Sequence, residues 1–355
     1  MLIGLDKQTI KPTVVGIDLQ KLKSSYNVVV DTTGATVPIY DYKEDKEQFI
    51  SHINITDGTM FNRLTIGTYK ADLGVGLFCY LDISKMGADD CNLVPYTVEG
   101  FKVYTDKCIQ YIEDRYGVRL HNNSYKGETM EMNVTITLES KFDDYKYLLR
   151  LMADISTGGK KRYKSYYYKS TDREVSGIKL YNKSMSKKVY DKKKQMETEK
   201  EIKIVLDKEY MRIEDTLLHQ DKIKNVFDTF SISEITDEAV KEYMQKSINE
   251  DLIKPMEKHI EKGNKMLLKI AKAEYKKNNK KWIQSFIISA LTTDIKGVPI
   301  LVDKQQILDV MAQMIPNKSN YNRALKRAAN DLDKLNKYVG NIQKLIEIKE
   351  KCEIQ

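Results

Sequence analysis

The feature that most constrains the fold is a change of residue pattern near position 235. Upstream, short β-branched and aromatic runs punctuated by Gly and Asp predict strands at Thr13–Leu19, Tyr26–Thr32, Arg63–Tyr69 and Val75–Leu81. Downstream, apolar residues recur at helical spacing with almost no strand pattern. We therefore expect an α+β fold: an antiparallel-sheet domain with flanking helices over residues 1–235, followed by an all-α domain over 236–355.

The middle of the chain adds further elements to the first domain. A helix is predicted at Asp106–Tyr116, with Thr105 as its N-cap and Gly117 ending it. Strict alternation predicts a strand at Glu131–Glu139, and Ser140 then caps an amphipathic helix. Three more strands are predicted at Lys164–Lys169, Val175–Tyr181 and Glu209–Leu217, with a charged helical stretch before the last of them.

Composition excludes several classes of protein. A length of 355 residues suits two domains. No apolar run reaches the roughly 18 residues of a membrane helix, and the first residues lack a basic segment followed by an apolar core, so neither a membrane span nor secretion is indicated. The four cysteines form no CxxC pair, which favours neither a disulfide framework nor a zinc site. We expect a cytoplasmic protein.

Positive charge is concentrated between residues 160 and 194. This segment holds thirteen basic and three acidic residues, a net charge of +10 in a chain whose total is +8. Such a concentration favours binding to a polyanion, because each neutralised phosphate releases counterions. The alternative is a solvated lysine-rich face. The residues of this segment predicted to bind nucleic acid are Lys160, Lys161, Arg162, Lys164, Tyr167, Lys169, Lys179, Lys187 and Lys188. Arg212, beyond the segment, is predicted to bind nucleic acid as well.

A second basic element lies near the end of the chain. Asp303–Met314, the turn Ile315–Ser319 and Asn320–Leu332 form a pattern typical of a helix–turn–helix pair. The second helix carries Arg323, Lys326 and Arg327 on its polar side, which predicts an approach to a DNA major groove. An ordinary helical hairpin is the alternative.

One group of residues has the composition of a catalytic site. The strand SGIKLYNKS ends in Tyr181, and a tyrosine can attack a phosphodiester to leave a phosphotyrosine. A phenol with a pKa near 10 is a poor nucleophile, so cations must stabilise the phenolate and the phosphate. Lys183 and its neighbouring lysines can assist, and Glu139 and Glu214 on neighbouring strands are predicted to hold Mg²⁺ or Mn²⁺. Tyr190, in Tyr-Asp-Lys-Lys, is the second candidate nucleophile.

The motifs IKLYNKS and YMRIEDTL resemble the catalytic region of rolling-circle replication initiators, namely the Rep_trans-type plasmid initiators and the filamentous-phage replication endonucleases. The resemblance covers roughly residues 10–230 in element order and these short motifs in residue identity. It implies that Tyr181 is the nicking nucleophile, and that an Arg-x-Glu strand with Arg212 and Glu214 lies beside it.

The sequence departs from that family at one strand. An Arg-x-Asp-x-x-x-Asp-like pattern is expected there, whereas Asn133, Thr135 and Glu139 occupy the matching positions, which shifts metal binding towards Glu131 or weakens it. The four histidines are isolated, so a two-histidine metal site is absent. The bland alternatives are that Arg212 and Glu214 form a cross-strand ion pair and that Glu139 favours the following helix dipole.

Three functions follow from these observations. The leading hypothesis is a plasmid or phage initiator that nicks single-stranded or extruded hairpin origin DNA with Mg²⁺ or Mn²⁺, and whose helical region binds duplex DNA, self-associates or contacts a host helicase. A non-catalytic, sequence-specific DNA-binding protein is the second hypothesis. A structural or assembly protein of a mobile element is the third.

Overall fold

The computed structural model describes residues 2–35, 37–71, 74–83, 93–122, 125–157, 164–169, 176–198, 207–277 and 281–354. It confirms the predicted α+β class, with a large antiparallel sheet, flanking helices and a helical C-terminal region.

Ten strands form the main sheet, and every pairing between them is antiparallel. Their order from edge to edge is β11 (Lys164–Lys169), β12 (Ser176–Tyr181), β13 (Met185–Asp191), β14 (Glu209–Leu217), β10 (Gly127–Leu138), β1 (Leu2–Ile10), β8 (Gly74–Ile83), β7 (Arg63–Ala71), β6 (His52–Thr56) and β3 (Val28–Asp31).

A smaller sheet and a hairpin complete the strands. The four-stranded sheet has the order β5 (Lys46–Phe49), β4 (Pro38–Asp41), β2 (Thr13–Ile17) and β9 (Val118–His121). The hairpin consists of β15 (Asp294–Ile295) and β16 (Val298–Pro299).

Twelve α-helices are found among the described residues. Six belong to the first 250 residues: α1 (Leu19–Ser24), α2 (Val98–Tyr116), α3 (Lys146–Thr157), α4 (Lys192–Thr198), α5 (Gln220–Phe227) and α6 (Asp237–Ile248). The other six are α7 (Lys254–Lys277), α8 (Trp282–Thr292), α9 (Lys304–Met314), α10 (Lys318–Arg327), α11 (Ala329–Asp333) and α12 (Asn341–Lys351). A π-helical turn, Asn249–Ile253, joins α6 to α7.

The alternation in β10 decides which side of the sheet meets the core. Met132, Val134 and Ile136 are buried on one face, as the sequence predicts, and they pack in the main hydrophobic core. Asn133 and Thr135 point to the opposite face and are also buried. A polar face that is covered rather than solvated must pair its own hydrogen-bonding groups. This face carries the candidate site.

Several predicted boundaries are wrong. Helix α2 begins at Val98 rather than Asp106, because Thr97 accepts a hydrogen bond from the Gly100 amide and is the N-cap. Thr105 is buried inside that helix. Gly117 does end it, with a φ of 70° in the left-handed region. Lys141 rather than Ser140 precedes the next helical segment, which starts as a 3₁₀ turn.

Of three strands that bear on the candidate site, the residue pattern predicts one and misses two. Strand β14 has the predicted bounds, Glu209–Leu217. By contrast, β13 lies where the pattern indicates no strand, and β1 was not predicted either. Strands β13 and β1 both carry residues of the candidate site.

Two hydrophobic cores are present. The first lies under the main sheet and includes residues of α6, Leu345 and Ile348 of α12, and Cys352 just after it, so this part of the chain packs back on the main sheet. The second is formed by α7 to α11 around Trp282 and Phe286. Among the described residues, no helix combines the length and apolar character that crossing a bilayer requires.

Candidate metal and tyrosine site

Three carboxylates converge on the polar face of the main sheet. Asp6 comes from β1, Glu131 from β10 and Glu214 from β14, and each offers an oxygen that lies within 4.8 Å of the others. Asp6 and Glu214 are buried, and the side chain of Glu131 is 15% exposed. Three acids this close in a desolvated place repel one another unless cations compensate.

Strand pairing explains how residues so distant in sequence meet. Strand β14 pairs with β10 so that Glu214 lies opposite Asn133 and Thr216 lies opposite Glu131. The Thr216 hydroxyl donates to the Glu131 carboxylate at 3.1 Å. Gly4 of β1 pairs with Asn133, so Asp6, two residues further along, lies on the same face, within the register shift between Leu5 and Gln8. The Asn133 amide then donates to Asp6 at 3.3 Å, which holds that carboxylate at the cluster.

Two cations border the carboxylates. The Lys188 ammonium on β13 lies 3.2 Å from Glu214 and 3.8 Å from Glu131, and 33% of the lysine side chain is exposed. The Arg212 guanidinium is fully buried and lies 3.2 Å from Asp6. It also donates to the Thr135 hydroxyl and to the Leu93 carbonyl, so Leu93 lies over this face of the sheet.

Tyr190 belongs to the same cluster. It lies opposite Arg212 across β13 and β14, and its hydroxyl donates a hydrogen bond to the Glu214 carboxylate. Only 5% of Tyr190 is exposed. Burial, followed by the neighbouring Glu214 charge, raises the pKa of the Tyr190 phenol well above its ordinary value. In the absence of an added cation the phenol therefore stays protonated.

The two glutamates have opposite pKa shifts. Burial and the charge of Glu214 raise the pKa of Glu131 to about 7, although Lys188 opposes that shift. Burial would raise the pKa of Glu214 as well, but Lys188, Arg212 and the Tyr190 hydroxyl hold it below its ordinary value. The cluster thus holds three carboxylates against two cations, and Glu131 is the carboxylate left with the least compensation.

This donor set fits a hard divalent cation. Carboxylate oxygens are the ligands that Mg²⁺ and Mn²⁺ prefer. A bound cation would offset the uncompensated negative charge that keeps the pKa of Glu131 high. The side-chain carbonyl oxygen of Asn133 is buried beside Asp6 and has no hydrogen-bond partner among the described residues, so it is a further oxygen at the cluster. Asp6, Glu131 and Glu214 are the residues that would hold the ion.

Tyr181, the leading sequence candidate, lies on the same face but farther out. The row Tyr181, Ser186, Thr216, Glu131 crosses the sheet from β12 to β10. Two strand spacings, about 10 Å, separate Tyr181 from β14. Tyr181 is half-buried beside the Lys179 ammonium, which lies 5.8 Å from its ring centroid. The structure therefore brings Tyr190, rather than Tyr181, into contact with Glu214.

Glu139 does not join Glu214. It lies six residues along from Asn133, which faces Glu214, and this corresponds to about 20 Å of strand. Its side chain is 74% exposed and lies 3.7 Å from the Lys351 ammonium. The predicted ligand pair Glu139 and Glu214 is wrong in this respect, and Glu131, two residues from Asn133 on the same face, takes the place of Glu139.

Lys187 and Arg212 are buried rather than available for a nucleic acid. Lys187 points to the opposite face of the sheet, is 0% exposed, and pairs with Asp215 at 2.5 Å. Its ammonium also donates to Ser247 of α6 at 2.9 Å. Arg212 pairs with Asp6, and Glu214 pairs with Lys188. The alternative in which Arg212 and Glu214 form ion pairs therefore holds, but with these partners. The predicted nucleic-acid contact of Lys187 and Arg212 is not compatible with these positions.

The other candidates for binding nucleic acid lie in four places. Lys179 is half-buried and Lys183, in the turn between β12 and β13, is exposed. Lys164, Tyr167 and Lys169 lie on the edge strand β11, whose backbone pairs with β12. Lys160, Lys161 and Arg162 lie outside the described residues. Arg323, Lys326 and Arg327 are exposed on α10.

Asp6 is the site residue that sequence reasoning missed. A charged Asp-Lys pair interrupts LIGLDKQTI, so the segment lacks the clean alternation of a strand. The bulge in β1 lies at this pair. With the fold and the site in view, comparison with known proteins adds no relative: no family model matches the chain and no curated protein is significantly similar to it.

Proposed function

We propose that this protein nicks and rejoins DNA by tyrosine transesterification at a divalent-cation site, as a replication initiator of the rolling-circle type would, with Tyr190 as the nucleophile. The observation that carries the proposal is the hydrogen bond from the Tyr190 hydroxyl to Glu214, one of three clustered carboxylates beside Lys188 and Arg212. A nucleophile, candidate metal ligands and cations for a phosphate are thereby gathered on one sheet face.

The reaction uses groups of this chain in defined roles. Tyr190 Oη attacks the phosphorus of a phosphodiester and gives up its proton towards Glu214, which already accepts its hydrogen bond. The new bond joins Tyr190 Oη to phosphorus, the bond from phosphorus to the 3′-oxygen breaks, and that oxygen takes a proton from solvent. The products are a 5′-phosphotyrosine and a free 3′-hydroxyl, and the reverse attack reseals the strand.

The pKa directions explain why a cation is needed. The raised pKa of Tyr190 and the lowered pKa of Glu214 oppose proton transfer between them. A divalent ion held by Asp6, Glu131 and Glu214 would supply positive charge that stabilises the phenolate and the developing phosphate charge. Lys188, the partly exposed cation of the cluster, is positioned to contact the phosphate, whereas the buried Arg212 holds Asp6 and the Leu93 carbonyl in place.

Access to Tyr190 sets a structural requirement. With 5% of the residue exposed, a phosphodiester must displace groups that cover the phenol. The exposed parts of the cluster are at Lys188 and Glu131, on the side that continues towards Lys179 and Tyr181. We infer that a DNA strand enters from that side, where Tyr181 offers a ring for base stacking.

The test is a search for a covalent adduct. The protein is incubated with a pool of single-stranded oligonucleotides that carry a randomised centre and a 3′ label, in Mg²⁺ or Mn²⁺. We expect a labelled band that survives SDS, disappears in EDTA, and maps by mass spectrometry to Tyr190. Tyr190→Phe removes the nucleophile and is expected to lower adduct formation at least 100-fold.

Tyr181→Phe is the matched control, because it removes a hydroxyl from the same sheet face without touching the carboxylates. It is expected to keep most of the adduct. An adduct that persists in Tyr190→Phe, one that maps to Tyr181, or the lack of any adduct across the pool in both metals would overturn the proposal. Thermal unfolding of Tyr190→Phe, with and without Mn²⁺, establishes whether the variant folds and still binds the ion.

A further inference from the structure

Helix α10 presents an exposed basic face. Of its ten residues, Lys318–Arg327, none is fully buried. Lys318, Arg323, Lys326 and Arg327 are exposed, and the helix contains no acidic residue. Among the described residues none of these four cations forms an ion pair; Arg323 contacts the Ser319 hydroxyl at 3.4 Å.

The helix is held rigidly from its other side. Tyr321, Ala324 and Leu325 pack against the second hydrophobic core, and the Tyr321 hydroxyl donates to the Leu308 carbonyl of α9 at 3.4 Å. At about 100° per residue these positions lie opposite Ser319, Arg323 and Lys326. Asn317 caps the helix by accepting from the Asn320 amide, and only three residues separate α10 from α9. The cations are therefore presented outward on a fixed, short scaffold.

A solvated helix of this protein has a different pattern of charge. Helix α7 is also lysine-rich, but Glu257, Glu261 and Glu274 are interspersed, and two of its lysines pair with neighbouring glutamates. Mixed charges of this kind are the usual arrangement on a soluble surface. The uniform sign on α10 leaves its charge uncompensated, and the complement of such a surface is a polyanion.

We propose that the exposed face of α10 docks in the major groove of duplex DNA. An α-helix, 10–12 Å across, fits a groove about 12 Å wide. Arg323, Lys326 and Arg327 are placed to contact phosphates along the groove, and Asn322 can pair with adenine. The choice of DNA among polyanions rests on the proposed nicking function, whereas the surface itself does not depend on Tyr190.

The test is the salt dependence of binding to a 30-base-pair DNA duplex, followed by fluorescence anisotropy. The triple variant Arg323→Ala, Lys326→Ala, Arg327→Ala is expected to weaken binding at least tenfold. Its slope of log affinity against log salt should fall by about 2.7, because each lost phosphate contact removes about 0.9. The matched control neutralises three exposed lysines of α7, Lys262, Lys269 and Lys272, and should lower the slope by less than 1.

The outcomes separate this proposal from the nicking reaction. The α10 variant should still form the Tyr190 adduct with single-stranded DNA, and Tyr190→Phe should still bind the duplex. Equal losses in the α10 and α7 variants, or an unchanged slope in the α10 variant, would show that this helix is not the docking surface. Equal binding to an RNA duplex, whose deep and narrow major groove excludes a helix, would rule out groove docking. A circular dichroism spectrum and melting curve confirm that the α10 variant is folded.

Discussion

The buried pair Lys187 and Asp215 provides a direct test of how the sheet is joined to the helices. Both side chains are 0% exposed, 2.5 Å apart, and Ser247 of α6 donates to Asp215 at 2.5 Å. Asp251 of the π-helical turn lies 3.9 Å from the Lys187 ammonium. Lys187→Met removes the cation and leaves two buried carboxylates.

Breaking a fully buried ion pair from one side costs about 3–5 kcal/mol. With a urea dependence of about 3 kcal/mol per molar for a chain of this size, the unfolding midpoint should fall by roughly 1–1.7 M. The measurement is urea unfolding followed by circular dichroism. Lys193→Met is the control, since Lys193 pairs with Glu209 at 2.9 Å while both remain partly exposed, and it should cost about 1 kcal/mol or less.

The double variant Lys187→Met with Asp215→Leu distinguishes the pair from a simple loss of packing. Because Asp215, the carboxylate nearest to Lys187, is removed with its partner, the double variant should be more stable than either single variant. The reasoning is refuted if Lys187→Met costs no more than Lys193→Met, or if the double variant is the least stable of the set.

Further predictions concern the site and the backbone. The pKa of Glu131 is raised to about 7 from an ordinary 4.5, so between these pH values the folded protein binds a proton that the unfolded chain releases. The stability of the protein therefore falls as pH rises from about 4.5 to about 7. Without metal, Glu131→Gln should therefore gain on the order of 3 kcal/mol over the parent at pH 8 and nothing at pH 4, as read from urea midpoints at both values. Added Mn²⁺ should raise the pH 8 midpoint of the parent and not that of Glu131→Gln; an equal rise in both would place the ion elsewhere. Gly117→Ala should lower the free energy of unfolding by well over 1 kcal/mol, because its φ is 70° and a Cβ would lie 2.7 Å from the Cβ of Asp18. Gly340→Ala, with a φ of 74° and open space around it, should cost about 1 kcal/mol. Equal melting temperatures of the two variants would contradict this.

The sheet could be predicted from sequence where one face alternates cleanly with the other. Strand β10 has Met132, Val134 and Ile136 on one side, and the bounds of β14 agree with the prediction. Strand β13 was missed because its core-facing positions are Met185, Lys187 and Val189. A lysine at a buried position breaks the apolar pattern, and the ion pair with Asp215, 28 residues away, makes it tolerable.

The kinds of residue in the candidate site could be predicted from the sequence, but not the full set of residues that form it. The sequence indicated a tyrosine, lysines and carboxylates on neighbouring strands, and Glu214 and Tyr190 were among the candidates. Choosing Glu131 over Glu139 required the register between β10 and β14, since both glutamates have the same parity on one strand. Asp6 was missed because β1 was not predicted: the bulge between Leu5 and Gln8 interrupts the alternation that would have indicated a strand. Register and bulges arise from pairing between distant segments, which a single pattern does not encode.

The adjacent doublets Lys187-Lys188 and Glu214-Asp215 have a consequence for strand alignment. In the observed pairing Lys188 faces Glu214 on one side of the sheet while Lys187 faces Asp215 on the other. A slip by one residue would turn a lysine or a carboxylate to the wrong side, and a slip by two would leave both lysines without their acids. The two ion pairs thus select a single alignment of β13 on β14. Since Tyr190 follows Lys188 by two residues, that selection also sets the phenol beside its carboxylate.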